Sequence, residues 1–176
     1  SHTGVRLIDV TQQYKLWDQA NWNPKDPNSG AYLFPVDAAT DTPGFGFNAY
    51  GFFKNLRVCA LSLLESDGRA NNTRLAGMEM GGFDTHDGQG TTAGAHPDLL
   101  KWIAWGINSL RIVFSGAATY NPGQQRNYTA IWDDVAVVTF SEFGRTSREN
   151  GSLGTDHGQA TFSLVAGGTV NGGVYN

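Results

Sequence analysis

Several features are scarce in this sequence, and each scarcity excludes a class of protein. Cys59 is the single cysteine, which excludes an internal disulfide framework and a cysteine-based zinc cluster. Charged residues make up 16% of the 176 residues, below the usual value of about 25%, and the 12 Lys and Arg residues form no basic cluster. The net charge of −4 therefore argues against a nucleic-acid partner. No apolar run approaches the roughly 18 residues that a membrane-spanning helix needs.

Residues that build a folded core are abundant by contrast. Hydrophobic residues account for 40% and aromatic residues for 12% of the chain, which excludes intrinsic disorder, and the length suits one domain. The chain starts at Ser1 without a methionine, and it ends after a glycine-rich turn at residues 172–173, where a strand ordinarily begins. We therefore expect the chain to be the later part of a larger domain.

The hydrophobic pattern predicts an irregular segment followed by the α/β portion of a single domain. Residues 1–47 are rich in turn-forming and aromatic residues, with one strand predicted over Val5–Val10. In residues 48–176, apolar residues recur at helical spacing in two stretches, one that begins after Asn48 and one that begins at His96. Short apolar runs predict three strands: Leu75–Met80, Val135–Phe140 and Leu164–Ala166. This order predicts an α/β fold in which helices flank a mostly parallel sheet.

Polar clusters follow two of the predicted strands and precede the third. Residues 81–88 follow the first strand, residues 141–148 follow the second, and residues 154–158 come before the third. Ligands of open α/β sheets bind outside the carboxyl ends of the strands, so we expect the three clusters to converge on one edge of the sheet.

Two Asp/His pairs within these clusters have the spacing of metal ligands. Asp84 and His86 are two residues apart, so in an extended backbone both side chains face the same way and are able to share a divalent ion. Asp156 and His157 are adjacent in a loop flanked by glycines, which allow close approach to a ligand. Each pair also fits a turn in which a carboxylate orients an exposed histidine, and the spacing alone leaves both interpretations open.

Charged residues after the second predicted strand offer further chemistry. The continuous apolar run Val135–Phe140 is typical of a strand buried on both faces, and Glu142 follows it closely, in a position for a metal ligand or a general base. An ion pair of Glu142 with Arg145 or Arg148 is the alternative. Arg145 presents a guanidinium fork suited to a phosphate or sulfate oxyanion. No spacing in these clusters activates a hydroxyl group as a nucleophile.

Four motifs occur in order along the chain. They are Gly-Phe-Asp-Thr-His at residues 82–86, Ser-Glu-Phe-Gly-Arg-Thr at 141–146, Gly-Thr-Asp-His at 154–157, and the glycine-rich residues 166–168 and 172–175. Together they resemble the bacterial family known as domain of unknown function 1501 (DUF1501), which is grouped with the alkaline phosphatase and sulfatase superfamily. The resemblance covers residues 50–176.

The resemblance implies an alkaline-phosphatase-like α/β fold in an exported bacterial protein, periplasmic or extracellular. It also implies hydrolysis of phosphate or sulfate esters, of small molecules or polysaccharides, with one or two divalent metals such as Zn, Ca, Mg or Mn. By that analogy Asp84 and His86 stand at the Asp and His ligands of one metal, and His157 resembles a late histidine ligand. Glu142 and Phe143 fall where the superfamily typically has Asp-His, so Phe143 removes one ligand. The nucleophile would belong to an upstream strand.

Two functions are thus expected. The first is a metal-dependent hydrolase in which Arg145 stabilises the oxyanion and Glu142 is a ligand or base. The second is a catalytically degenerate relative that binds an anionic ligand or serves as a structural protein of the cell envelope. A carbohydrate-binding module would instead need Trp17, Trp22 and Trp102 together on one exposed face.

Overall fold

The structure, a computed structural model, describes residues 21–65 and 73–175 of the chain. The predicted strand Val5–Val10 and Trp17 lie outside these residues. The described residues divide into two compact units, one up to Met80 together with Asn108–Ile131, and the other formed by Gly81–Ile107 and the residues from Trp132 onward. All candidate metal and catalytic residues belong to the second unit.

The described part of the chain contains two long α-helices, a 3-10 turn and four short strands. Helix α1 spans Phe47–Leu64 and helix α2 spans Ala95–Phe114. The 3-10 turn Trp132–Asp134 precedes the strands, which are β1 (Val137–Val138), β2 (Gly144–Arg145), β3 (His157–Gly158) and β4 (Val165–Ala166). This mixed helix and strand content is compatible with the predicted α/β class. Neither helix in this part of the chain is long and apolar enough to cross a membrane.

The strands pair antiparallel in two separate ribbons. In the ribbon of β1 and β4, Val138 lies opposite Val165. In the ribbon of β2 and β3, Gly144 lies opposite Gly158 and Arg145 lies opposite His157. Within residues 21–65 and 73–175 no parallel pair forms, so the predicted mostly parallel sheet is not found there.

The prediction of a strand buried on both faces over Val135–Phe140 is wrong. Only two of these residues are in a strand, exposed and half-buried residues alternate along the run, and Phe140 is 87% exposed. Leu75–Met80 forms no strand, and the third predicted strand shortens to β4. A run of β-branched residues is buried on both faces only where other elements cover both faces, and β1 has only β4 beside it among the described strands.

In the first unit, α1 forms because its apolar residues share one face and its first turn is anchored by a carboxylate. The buried face consists of Ala49, Phe53, Leu56, Ala60, Leu61 and Leu64. The carboxylate of Asp41 accepts hydrogen bonds from the backbone N–H of Phe45 at 2.8 Å and from the hydroxyl of Tyr50 at 2.9 Å. These bonds fix the direction in which the chain enters the helix.

The irregular segment before α1 packs through its aromatic side chains. Residues 21–46 contain no helix or strand, only an isolated bridge of Lys25 with Tyr32 and another of Lys25 with Thr119. Trp22 and Phe34 are completely buried, with their ring centroids 6.0 Å apart. Because Trp22 is buried, it cannot contribute to an exposed carbohydrate-binding face.

In the second unit, the first turn of α2 supports the segment that carries the first polar cluster. The ring of His96 packs edge-on against Phe83 with centroids 5.6 Å apart, and the buried side chain of Leu99 lies beside Gly82. The backbone N–H of His96 also donates to the carbonyl of Gln89 at 3.1 Å. Residues 82–89 are therefore held at both ends by this turn.

Candidate metal centre

The ribbon of β2 and β3 brings Arg145 beside His157. Its two strands approach closely because glycines occupy the opposed positions. A Cβ atom on Gly144 would stand 2.5 Å from the carbonyl oxygen of Gly158, and one on Gly158 would stand 2.7 Å from that of Arg145. The glycines of two of the polar clusters, residues 141–148 and 154–158, thus allow Arg145 and His157 to be neighbours.

A backbone seam, formed by residues 85–89 and 152–155, joins the two segments that carry the Asp/His pairs. Gly88 N–H donates to Ser152 O and Gln89 N–H donates to Leu153 O, both at 2.9 Å, and Thr155 N–H donates to Thr85 O at 3.2 Å. The side-chain oxygen of Gln89 also accepts from the hydroxyls of Thr85 at 3.1 Å and Thr155 at 2.6 Å. Residues about 70 positions apart in sequence are thereby fixed against each other.

Three candidate ligands meet at one carboxylate oxygen. Oδ1 of Asp84 lies 2.9 Å from Nε2 of His86 and 2.8 Å from Nε2 of His157. The three ligand atoms all lie within 4.8 Å of one another. All three side chains are exposed, between 46% and 55%, so an ion from solvent has direct access to them.

Asp156 lies behind His86 and outside this group of three. Its Oδ1 atom is 3.0 Å from Nδ1 of His86, on the opposite side of the ring from Asp84. A carboxylate in this position holds a metal-binding histidine in the orientation and tautomer that leave Nε2 free for the ion. The structure therefore places Asp156 as a partner of His86, whereas the sequence predicted it as a direct ligand.

Both carboxyl groups have pKa values below their ordinary range. The pKa of Asp84 is lowered chiefly by the hydrogen bond from His157, and the charge of Arg145 adds to the effect. The pKa of Asp156 is lowered chiefly by a hydrogen bond from Asn150 and then by one from His86. Both groups are therefore ionised at neutral pH, the state that metal binding requires.

Phe143 orients the second histidine. Its ring stacks on that of His157 with centroids 4.2 Å apart and an angle of 16° between the planes. The guanidinium carbon of Arg145 lies 5.0 Å from the centroid of the same Phe143 ring. Phe143 thus contacts a candidate ligand directly.

The guanidinium of Arg145 is largely engaged by the protein itself. Nη2 donates to Oδ1 of Asp84 at 2.7 Å and to the carbonyl of Phe83 at 2.6 Å, and Nη1 donates to the carbonyl of Thr155 at 2.6 Å. The side chain is 15% exposed. In this structure Arg145 fixes Asp84, and its role at an oxyanion stays a prediction.

Glu142 is exposed and does not belong to the group of three ligands. Among the ion pairs of the described residues none joins Glu142 to Arg145 or Arg148, so that alternative is not found there.

An open cavity of about 550 Å³ adjoins the centre. Arg145 and Asp156 belong to both the centre and the cavity, and the cavity continues along Arg148 and Gln159.

Sequence reasoning missed Asn150 and Gln89, which make long-range hydrogen bonds to the site. Asn150 is 64 residues from His86, whose carbonyl it contacts, and Gln89 is 66 residues from Thr155. The one local signal is Asn150 followed by Gly151 and Ser152, a typical turn sequence.

Residues 118–176 match the sequence model of a family described as "Protein of unknown function (DUF1501)". This match supports the DUF1501 family. The matched region contains Arg145, Asp156 and His157, whereas Asp84 and His86 precede it. Neither a curated protein nor a solved structure matches the chain.

Proposed function

We propose that Asp84, His86 and His157 hold a divalent metal ion and that the protein is a metal-dependent hydrolase of phosphate or sulfate esters. The observation that carries the proposal is the position of His86 between two carboxylates. Nδ1 faces Asp156 at 3.0 Å and Nε2 faces Asp84 at 2.9 Å. Carboxylates only accept hydrogen bonds, so a neutral ring satisfies one of them and directs a lone pair at the other. A protonated ring, which donates from both nitrogens, resolves that conflict in the metal-free protein, and a cation that Nε2 and Asp84 share resolves it in the metal-bound protein.

The three residues fit a borderline ion such as zinc. Ligand atoms held about 2.1 Å from one zinc ion lie roughly 3.4 Å apart in a tetrahedral site. Oδ1 of Asp84 lies 2.9 and 2.8 Å from the two Nε2 atoms, so these contacts must widen by about 0.5 Å when the ion binds, which exposed side chains allow. Two imidazoles and one carboxylate form the ligand set of several catalytic zinc sites, which keep a further position for water or substrate. The two nitrogen ligands favour zinc over calcium or magnesium, which prefer oxygen.

Each neighbouring residue then has a defined task. A bound divalent ion supplies Lewis-acid polarisation of an ester oxygen. Asp156 holds His86, Phe143 holds the ring of His157, and Arg145 holds Asp84. The adjoining cavity receives the anionic ester, and its lining includes Arg148, which is suited to an anion, beside the acidic Glu149.

An alkaline-phosphatase-like fold and export to the periplasm or the cell exterior are part of the same proposal. They rest on the resemblance that the four sequence motifs carry. A full-length structure with a central parallel sheet would test the fold, and the location of the protein in fractionated cells would test the export.

One observation favours the degenerate, anion-binding alternative. The hydroxyls of Thr85 and Thr155, the two that lie closest in sequence to the ligands, both donate to the oxygen of Gln89. Neither hydroxyl contacts a group that would accept its proton and activate it as a nucleophile. The alternative retains the metal and binds the anion without cleaving it.

The test compares Asp84→Asn and His157→Ala with Asp87→Asn, a matched control at an exposed aspartate three residues from Asp84. We expect the wild type and the control to bind one zinc ion, and the two ligand variants to bind zinc more than roughly 100-fold more weakly. Zinc affinity, measured by calorimetry, should also fall as the pH is lowered, because protons compete with the metal for its ligands. Hydrolysis of p-nitrophenyl phosphate and p-nitrophenyl sulfate is measured on the same samples.

The outcomes separate the candidates. Zinc-dependent hydrolysis that the ligand variants lose supports the hydrolase. Stoichiometric zinc with no hydrolysis of either ester supports the anion-binding alternative. A wild type that binds no zinc, or ligand variants that bind it as tightly as Asp87→Asn does, refutes the metal centre.

A further inference from the structure

The side chain of Asn150 uses every hydrogen-bonding position that an amide has. Its Nδ2 group donates to Oδ1 of Asp156 and to the carbonyl oxygen of His86, both at 2.9 Å. Its Oδ1 accepts from the backbone N–H of Ser152 at 2.9 Å and of Gly154 at 3.1 Å. An amide has two donors and one oxygen with two lone pairs, so all four positions are occupied.

The two N–H donors of the Asn150 amide bind both residues of the contact between Asp156 and His86. Oδ1 of Asp156 accepts from Asn150 and also contacts Nδ1 of His86. Asp156 is 59% exposed, so without a second restraint its side chain would be free to change rotamer. The same amide also donates to the backbone carbonyl of His86. Asn150 thereby fixes the position of the His86 backbone relative to the Asp156 carboxylate.

We propose that Asn150 is a positioning residue of the metal centre, whose amide group holds Asp156 against Nδ1 of His86 and so directs Nε2 of His86 to the ion. This inference rests on the metal site of the proposed function and is independent of any hydrolytic activity. It assigns Asn150 a role through Asp156, without contact to the ion or to a substrate.

The competing explanation is that Asn150 only shapes its own loop. The acceptor half of the amide caps the turn through Ser152 and Gly154, and the donor half reaches the metal centre. Asn150→Asp separates the two roles because aspartate keeps the acceptor oxygen and loses both donors. Asn150→Ala removes both halves.

Zinc affinity is the first measurement, with zinc alone as the probe and the full chain as the protein. We expect Asn150→Asp and Asn150→Ala to bind zinc about 10- to 100-fold more weakly than the wild type. The control Asn108→Asp adds the same charge on α2, where its side chain faces Arg111, and should bind zinc like the wild type. The charge added at position 150 attracts a cation but also repels Asp156, whose Oδ1 lies 2.9 Å from the present amide. Asn150→Ala adds no charge, so the loss of affinity must appear in Asn150→Ala as well if the missing donors are its cause.

The tautomer of His86 in the metal-free protein is the second measurement, obtained from imidazole nitrogen NMR shifts near pH 8.5. We expect the hydrogen to reside mainly on Nδ1 in the wild type, because Oδ1 of Asp84 is already contacted by Arg145 and His157. In Asn150→Asp we expect it to move toward Nε2, because Asp156 is no longer held against the ring and Asp84 remains 2.9 Å from Nε2. A residue that only caps a loop would leave this tautomer unchanged.

Loss of zinc affinity together with a changed tautomer in Asn150→Asp supports the proposal. A wild type that binds zinc, with Asn150→Asp binding it equally or keeping the wild-type tautomer, overturns the role of Asn150 and leaves the proposed function intact. A wild type that binds no zinc overturns the metal site, and the role of Asn150 with it.

Discussion

Gly154→Ala is expected to open the backbone seam that joins residues 85–89 to residues 152–155. A methyl group on Gly154 would stand 2.6 Å from the carbonyl oxygen of Thr85 and closer still to the backbone of His86. Ordinary contacts between such atoms begin at about 3.5 Å, so the two backbones must separate by about 1 Å. All the atoms involved belong to the backbone, and a change of side-chain rotamer therefore cannot relieve the overlap.

The expected loss of stability in Gly154→Ala follows from the hydrogen bonds of the seam. Its three backbone bonds have lengths of 2.9, 2.9 and 3.2 Å, and a separation of about 1 Å lengthens them beyond hydrogen-bonding distance. At about 1 kcal/mol for each bond, we expect Gly154→Ala to lower the free energy of unfolding by about 3 kcal/mol. Zinc affinity should fall as well, because the seam positions His86 relative to His157.

Gly151→Ala is the matched control, because a Cβ atom at Gly151 of the same loop meets nothing within 4 Å. Its free energy of unfolding should stay within about 0.5 kcal/mol of the wild type. The assays are urea unfolding and hydrogen exchange, the latter reporting locally on the amides of Gly88 and Gln89, which donate across the seam. Equal stability and equal protection of these two amides in both alanine variants would refute the reasoning.

Two further predictions concern charge and stacking at the centre. The pKa values of Asp84 and Asp156 are lowered, so their hydrogen bonds stabilise the fold above an unfolded pKa of about 3.9 and are lost as the pH falls through the lower folded values. Urea midpoints of the metal-free wild type and Asp156→Asn should therefore converge between about pH 5 and pH 2, and a difference independent of pH would contradict this. Phe143→Leu should lower the free energy of unfolding by about 1 kcal/mol and weaken zinc binding, because it removes the ring stacked on His157. Calorimetry and urea unfolding test this, and unchanged values for both would show that the stack positions nothing.

The helices could be predicted from the sequence because their signals are local. Apolar residues repeat at helical spacing, and α2 begins beside the predicted start at His96. The site is partly local too, since Asp84 and His86 are two residues apart and their side chains meet at 2.9 Å. A spacing of two brings these side chains together through a tight turn, in which His86 N–H donates to Asp84 O at 3.1 Å, and not through the extended backbone expected.

The sheet could not be predicted in this way, because the residues of a strand do not determine which other elements cover its two faces. Val135–Phe140 is apolar throughout, yet burial on both faces depends on neighbours from elsewhere in the chain. The roles of Asn150 and Phe143 are likewise set by partners distant in sequence or by ring packing. Neither role produces a periodic pattern in the sequence, so neither could be predicted from the sequence alone.

The charges of the centre bear on the proposed binding of a metal ion and an anionic ester. Asp84 and Asp156 carry two negative charges and Arg145 one positive charge, so with neutral histidines the described residues of the centre carry one net negative charge. Such a centre attracts a divalent cation. With that cation bound, the same residues present one net positive charge beside the cavity, where the charges of Arg148 and Glu149 offset each other, and this net charge favours an ester with a negative group. Arg145 is necessary to this balance, because without its charge the loaded centre would be neutral and would lose its attraction for an anion.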